Sequence, residues 1–120
     1  MDGRVVVTGV GIVSPLGVGT EETWKECVAG TPGVSPITKF DCEGFSVQIA
    51  GEVKGFDPLD YASKKDIKKM DYHIQYALAA STFALDAAGL NGEDRPYSAD
   101  RMGVLIGSGI GGLNMMEIHH

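Results

Sequence analysis

Apolar and polar positions divide this chain into a few short elements. Val5-Val6-Val7-Thr8 is β-branched and mostly apolar, the pattern of a buried strand. It runs into Gly9-Val10-Gly11-Ile12-Val13 and is broken at Ser14-Pro15-Leu16-Gly17, since proline brings no donor to a ladder. Thr20-Glu21-Glu22 reads as a helix start, a hydroxyl cap followed by acids that suit the positive end of the helix. Trp24, Cys27 and Val28 form the apolar face of that short helix, which ends near Ala29-Gly30 before a turn at Thr31-Pro32-Gly33. From Phe45 to Val53 the pattern alternates and predicts a half-buried strand, with Phe45, Val47, Ile49, Gly51 and Val53 inward and Ser46, Gln48, Ala50 and Glu52 outward.

The second half is helical before it is extended. Ser63 is placed to cap a short basic helix carrying Lys64, Lys65, Lys68 and Lys69. Asp71 is placed to cap a long helix through Ala88, stopped by Gly89. That helix is apolar nearly all round, with Ile74, Leu78, Phe83 and Leu85 on one side and Tyr72, Tyr76, Ala79 and Ala80 on the other, so burial is expected. After a polar connection, Met102-Gly103-Val104-Leu105-Ile106 reads as a second buried strand that opens into Gly107-Ser108-Gly109-Ile110-Gly111-Gly112. Strands alternating with helices indicate an α/β layered fold, with the two apolar strands as a parallel pair joined by a right-handed crossover.

Composition narrows the class. The 120 residues are at most one domain, with no internal repeat and no dividing linker. Net charge is −6, so the chain as a whole lacks the basic footprint of a nucleic-acid binder. Two cysteines, Cys27 and Cys42, are too few for a disulfide framework and fit a reduced, intracellular protein. The apolar opening run has no basic leader and is too short to span a bilayer. Seventeen glycines stand out, and the second cluster leads to Ile118-His119-His120 with no closing element. The expectation is an early part of a larger domain.

The candidate motifs are few. Gly9-x-Gly11 opens like a dinucleotide loop, but Ser14 stands at the third glycine position and Pro15 follows it. Gly107, Gly109 and Gly112 match G-x-G-x-x-G after a strand, but a lone match is weak, and a sharp turn with the close approach of a ligand or second subunit explains them better. Ile110, between glycines, requires a hydrophobic partner. The lysine group places like charges at i,i+4, which is mildly unfavourable for the helix. It is either a solvated face or a docking patch for an anionic partner. Neither cysteine has a catalytic setting; Cys42 lies between Asp41 and Glu43, whose charges oppose a thiolate. His119-His120 lacks further ligands at metal-binding spacing, and no serine sits in a nucleophile elbow.

Together these segments resemble the N-terminal part of the β-ketoacyl-acyl-carrier-protein synthases of the synthase II type. Four stretches carry the resemblance: Val5 to Gly17, Ala50 to Asp57, Lys68-Lys69-Met70-Asp71 with Gln75-Tyr76-Ala77, and Ile106 to Gly112. It runs from about Arg4 to the last residue. It implies the thiolase-like layered fold, of which residues 1–120 would supply the N-terminal portion only. It also implies a cytoplasmic homodimer that uses no cofactor or metal and binds neither nucleic acid nor membrane. The implied activity is an acyltransferase of fatty acid biosynthesis, acting on acyl and malonyl thioesters of acyl carrier protein by decarboxylative Claisen condensation. Such chemistry requires an activated thiolate and donors for enolate and oxyanion. The family's Cys and two His lie downstream of the matched region, so no catalytic residue is assigned here and the segment alone is expected to be inactive. By resemblance Ile110 lines the acyl pocket at the dimer interface, and Lys65, Lys68 and Lys69 belong to the helix that meets the acidic carrier protein. A polyketide ketosynthase, a chain-length factor, a nucleotide-binding α/β module and a non-catalytic interaction fragment remain as alternatives.

Overall fold

Pro15 and Leu16 turn the chain back on itself, so that β1 (Val13–Ser14) pairs antiparallel with β2 (Gly17–Val18), Val13 opposite Val18. In this computed structural model, which describes residues 3–119, the hairpin belongs to a compact unit running from Ile12 to Phe56. A second unit joins the chain before Ile12 to the chain from Asp57 onward.

Helix α1 (Thr20–Ala29) follows the hairpin, but the Thr20 hydroxyl does not cap it. Gly19 holds the cap position at φ +120°, a conformation that side chains rarely adopt, and its carbonyl accepts from the Thr23 amide at 3.1 Å. The inward face of α1 is also not the expected one. Thr23 is buried, because its hydroxyl donates to the Gly17 carbonyl and shares a hydrogen bond with Ser14 Oγ, both at 3.1 Å. Trp24 is 67% exposed, and Val28 and Cys27 also face outward. Polar bonds to the hairpin thus set the orientation of this helix. Gly30, at φ +73°, ends it as the sequence predicts.

The alternating segment from Phe45 to Val53 contributes only β4 (Ile49–Ala50), paired antiparallel with β3 (Ser35–Pro36). Its faces do not separate as predicted: Ser46 and Gln48 are exposed as expected, but so is most of the apolar side. Phe45, Val47 and Ile49 are exposed, whereas Glu52 is 7% exposed. The cause is again a polar network: Glu52 accepts from the Thr38 hydroxyl at 2.7 Å and from the amides of Thr38 and Lys39 at 3.1 Å each. Phe45 instead meets Phe40 edge to face, with centroids 6.1 Å apart.

In the other unit the caps form as predicted. Ser63 Oγ accepts from the Asp66 amide at the start of α2 (Lys64–Ile67). Asp71 caps α3 (Tyr72–Ala87), accepting from the Tyr72 amide at 2.7 Å, and Gly89 at φ +66° ends it. Tyr61 packs edge to face on Phe83, fixing the preceding turn against α3. Gly9 and Gly11 lie directly on α3. A Cβ on Gly11 would overlap the Ala80 carbonyl, and one on Gly9 the Ala84 carbonyl. Ala80, Ala84 and Ala88, at i,i+4 spacing, form the smooth stripe that permits this approach.

Two expectations fail here. Val5 to Thr8 and Met102 to Ile106 make no ladder, so the parallel pair is absent among the described residues, where both strand pairs are antiparallel. Val5 is 98% and Leu105 96% exposed. A β-branched run is strand-prone only where neighbouring strands supply a pleated surface to pack on, and none of the described residues does so. Nor is α3 buried all round. Ala79 is its one fully buried hydrophobic residue, while Ile74, Leu78 and Leu85 are partly exposed.

Candidate functional site

The glycine loop that ends the extended segment 102–106 runs over the first turns of α3. His73, Ile74 and Leu78 form one wall of a groove of about 610 Å³, and Val104, Ile106 and Ser108 form the other. Its lining is largely aliphatic. Past the groove the loop touches α3 again, at Gly111. There the His73 imidazole occupies the space that a Cβ on Gly111 would need. Gly112 takes φ +88° and begins α4 (Leu113–His119), its carbonyl accepting from the Met116 amide at 2.9 Å. Ile110 lies between these contacts and is 83% exposed. Its aliphatic side chain is thus presented at the surface at the tip of the loop.

Gln75, two residues beyond His73 on α3, is buried and donates through Nε2 to the Met70 carbonyl at 2.9 Å. Its Oε1 is buried without a partner among the described residues. The bond to Met70 ties the start of α3 to the end of the basic segment. In that segment Lys64, Lys65, Lys68 and Lys69 are all exposed. Asp66, the only acid among them, is engaged by the Ser63 hydroxyl at 2.6 Å.

The structure thus places Ile110 and the lysines Lys65, Lys68 and Lys69 on exposed surface of one unit. The first glycine pair leads into the β1–β2 hairpin rather than a helix, so the dinucleotide loop geometry is not formed there. Cys27 is exposed and Cys42 half-buried, and no cluster of three His, Cys, Asp or Glu side chains suits a metal ion among the described residues. His120 and the side chain of His119 lie outside the described residues. No described helix is long and apolar enough to cross a membrane. Two structural features escaped the sequence. The His73–Gly111 contact joins residues far apart in the chain, and Glu52 carries no local sign of its inward position. For Gly111 a signal did exist in the form of a glycine needed for space, but spacing alone does not separate it from a glycine needed for a turn.

Comparison with known proteins gives this geometry a setting. The family described as "Beta-ketoacyl synthase, N-terminal domain" matches residues 2–120. The chain is 51% identical over 117 residues to 3-oxoacyl-acyl-carrier-protein synthase 2 of Vibrio cholerae serotype O1, covering 98% of this chain and 28% of that protein. It is 44% identical, with the same coverage, to the protein of that name from Staphylococcus aureus strain N315. Among solved structures, the ishigamide ketosynthase/chain length factor aligns with a TM-score of 0.65 at 42% identity, over 72% of this chain and 21% of that one. The chain therefore spans about 28% of the length of the curated relatives it matches.

Proposed function

This chain belongs to the beta-ketoacyl synthase family, and from that premise we propose that it is the N-terminal part of an elongating 3-oxoacyl-acyl-carrier-protein synthase of fatty acid biosynthesis. In the reaction an acyl group passes from carrier protein to a cysteine thiolate, and the carrier thiol leaves. Malonyl-carrier protein then loses carbon dioxide, and the carbanion so formed attacks the acyl-enzyme carbonyl. The new carbon–carbon bond forms as the cysteine thiolate departs. The nucleophile and its histidines lie downstream of the residues described, as does the remainder of a layered thiolase-like fold. In that fold the exposed Val5 to Thr8 and Met102 to Ile106 runs acquire strand neighbours.

Within this segment the roles are binding roles. Ile110 faces the acyl chain near a homodimer interface, and Lys65, Lys68 and Lys69 receive the acidic carrier protein in a cytoplasmic enzyme. The observation that carries the reading is Ile110 itself, an aliphatic side chain 83% exposed on a glycine loop in a ketosynthase segment. A second reading, a polyketide ketosynthase or chain-length factor, draws on the 42% identity to the ishigamide protein, against 51% to a synthase 2. The test supplies the full-length protein with acyl- and malonyl-carrier protein. The proposal requires a β-ketoacyl product two carbons longer, with one carbon dioxide released. An inert protein with no cysteine at the nucleophile position would establish the chain-length-factor reading instead.

A further inference from the structure

We propose that His73 is a positioning residue that sets the height of the glycine loop above α3, and through it the reach of Ile110; this rests on the condensing-enzyme reading for its functional consequence. The loop passes the same stretch of helix on both sides of its tip, in different ways. On one side Ile106 and Ser108 share the lining of an open groove with His73 and Ile74. On the other the His73 ring abuts Gly111, and Asp71 Oδ2 lies 3.9 Å from where a Cβ on Gly112 would stand. A Cβ on Gly109 would meet no atom within 4 Å, and Ile110 projects outward.

Gly111 carries the argument. It does not have a positive φ, so its backbone conformation is open to any residue. Alanine at such a position ordinarily stabilises, by narrowing the unfolded ensemble. A Cβ here would instead meet the His73 ring, so either the imidazole or the loop must move. A ring packed on bare backbone fixes the loop–helix distance through short-range contact, which is lost within about an ångström of separation. Asp71, which caps α3, fixes the turn from which the ring projects.

The experiment is a double-mutant cycle in the full-length protein with Gly111→Ala, His73→Ala and the pair. It is read by amide exchange of residues 107–112 and by relative kcat/KM on short and long acyl primers. His73→Ala should speed loop exchange about tenfold and leave the C-terminal half of α3 unchanged, a local effect. Gly111→Ala should displace the loop and shift the primer ratio. Adding His73→Ala should relieve the clash, so that the pair resembles His73→Ala alone and the two effects are strongly non-additive. Additive effects, or unaltered loop exchange in His73→Ala, would overturn the proposal. If Gly111→Ala fails to fold, recovery of folding in the pair is the supporting outcome and failure of both the opposing one. A wild-type protein that makes no condensation product would sink the enzyme reading, while the exchange measurements would still decide the role of His73.

Discussion

Glu52 closes on Thr38 with its carboxylate accepting both the hydroxyl at 2.7 Å and the backbone amide at 3.1 Å, and reaches the Lys39 amide at 3.1 Å as well. One side chain thus ties β4 to the chain that follows β3. The Thr38 hydroxyl, then its amide, and then the Lys39 amide and charge hold the Glu52 carboxyl below its ordinary value of 4.5, against the opposing effect of burial. A depressed folded-state pKa contributes stability above the unfolded value that is lost as pH falls through the folded value. Glu52→Gln places an amide NH₂ among donors, so it should lower the melting temperature at pH 7 and flatten the fall in stability below about pH 4.5. Thermal unfolding of both proteins between pH 3 and pH 7 tests this; parallel curves would show that the carboxylate carries no pH-linked stability.

Gly11 provides a test of packing. Its Cβ position overlaps the Ala80 carbonyl and approaches the Ala84 amide, both backbone atoms that do not rotate away. Gly11→Ala gains about 0.4–1 kcal/mol from the unfolded chain but incurs overpacking of about 1–3 kcal/mol, so net destabilisation is expected. Gly3→Ala, where nothing lies within 4 Å, should be close to neutral. Denaturant midpoints of the two variants measure the difference, and equal midpoints would refute the close approach of this segment to α3.

The basic segment makes an electrostatic prediction. Lys65 is exposed, and the neighbouring Asp66 is occupied by Ser63. Lys65→Glu should raise the KM for acyl carrier protein about three- to tenfold, the scale of reversing one exposed charge, with kcat little changed. Added salt should weaken the wild type more than the variant. An unchanged carrier-protein KM would remove Lys65 from the docking surface.

The legible parts of the sequence were the local ones. Ser63, Asp71, Gly30 and Gly89 mark helix ends because a cap depends on a few adjacent residues. The faces of the elements were not legible. Alternation along Phe45 to Val53 defines two sides of a strand, but the partner determines which is inside, and here the buried group is Glu52. Thr23 displaces Trp24 for the same reason, through bonds to the hairpin. The runs at Val5 to Thr8 and Met102 to Ile106 read as strands from composition, yet a ladder requires a neighbour that composition does not reveal. At the site, Ile110 was conspicuous as a β-branched residue among glycines, and the structure leaves it 83% exposed. The ring of His73 beneath Gly111 was invisible, because contact across the fold leaves no trace in spacing.

The proposed acyl-chain role of this loop is tested most directly by the primer-length profile of Ile110→Phe in the full-length protein. Ile110 is exposed at the loop tip, so a larger side chain should fold without strain and fill space that an acyl chain would enter. The account predicts kcat/KM for long primers to fall about tenfold or more, the scale of a pocket altered by a few methylene groups, while short primers are extended almost as before. Equal loss on every primer length, or no change on any, would contradict it.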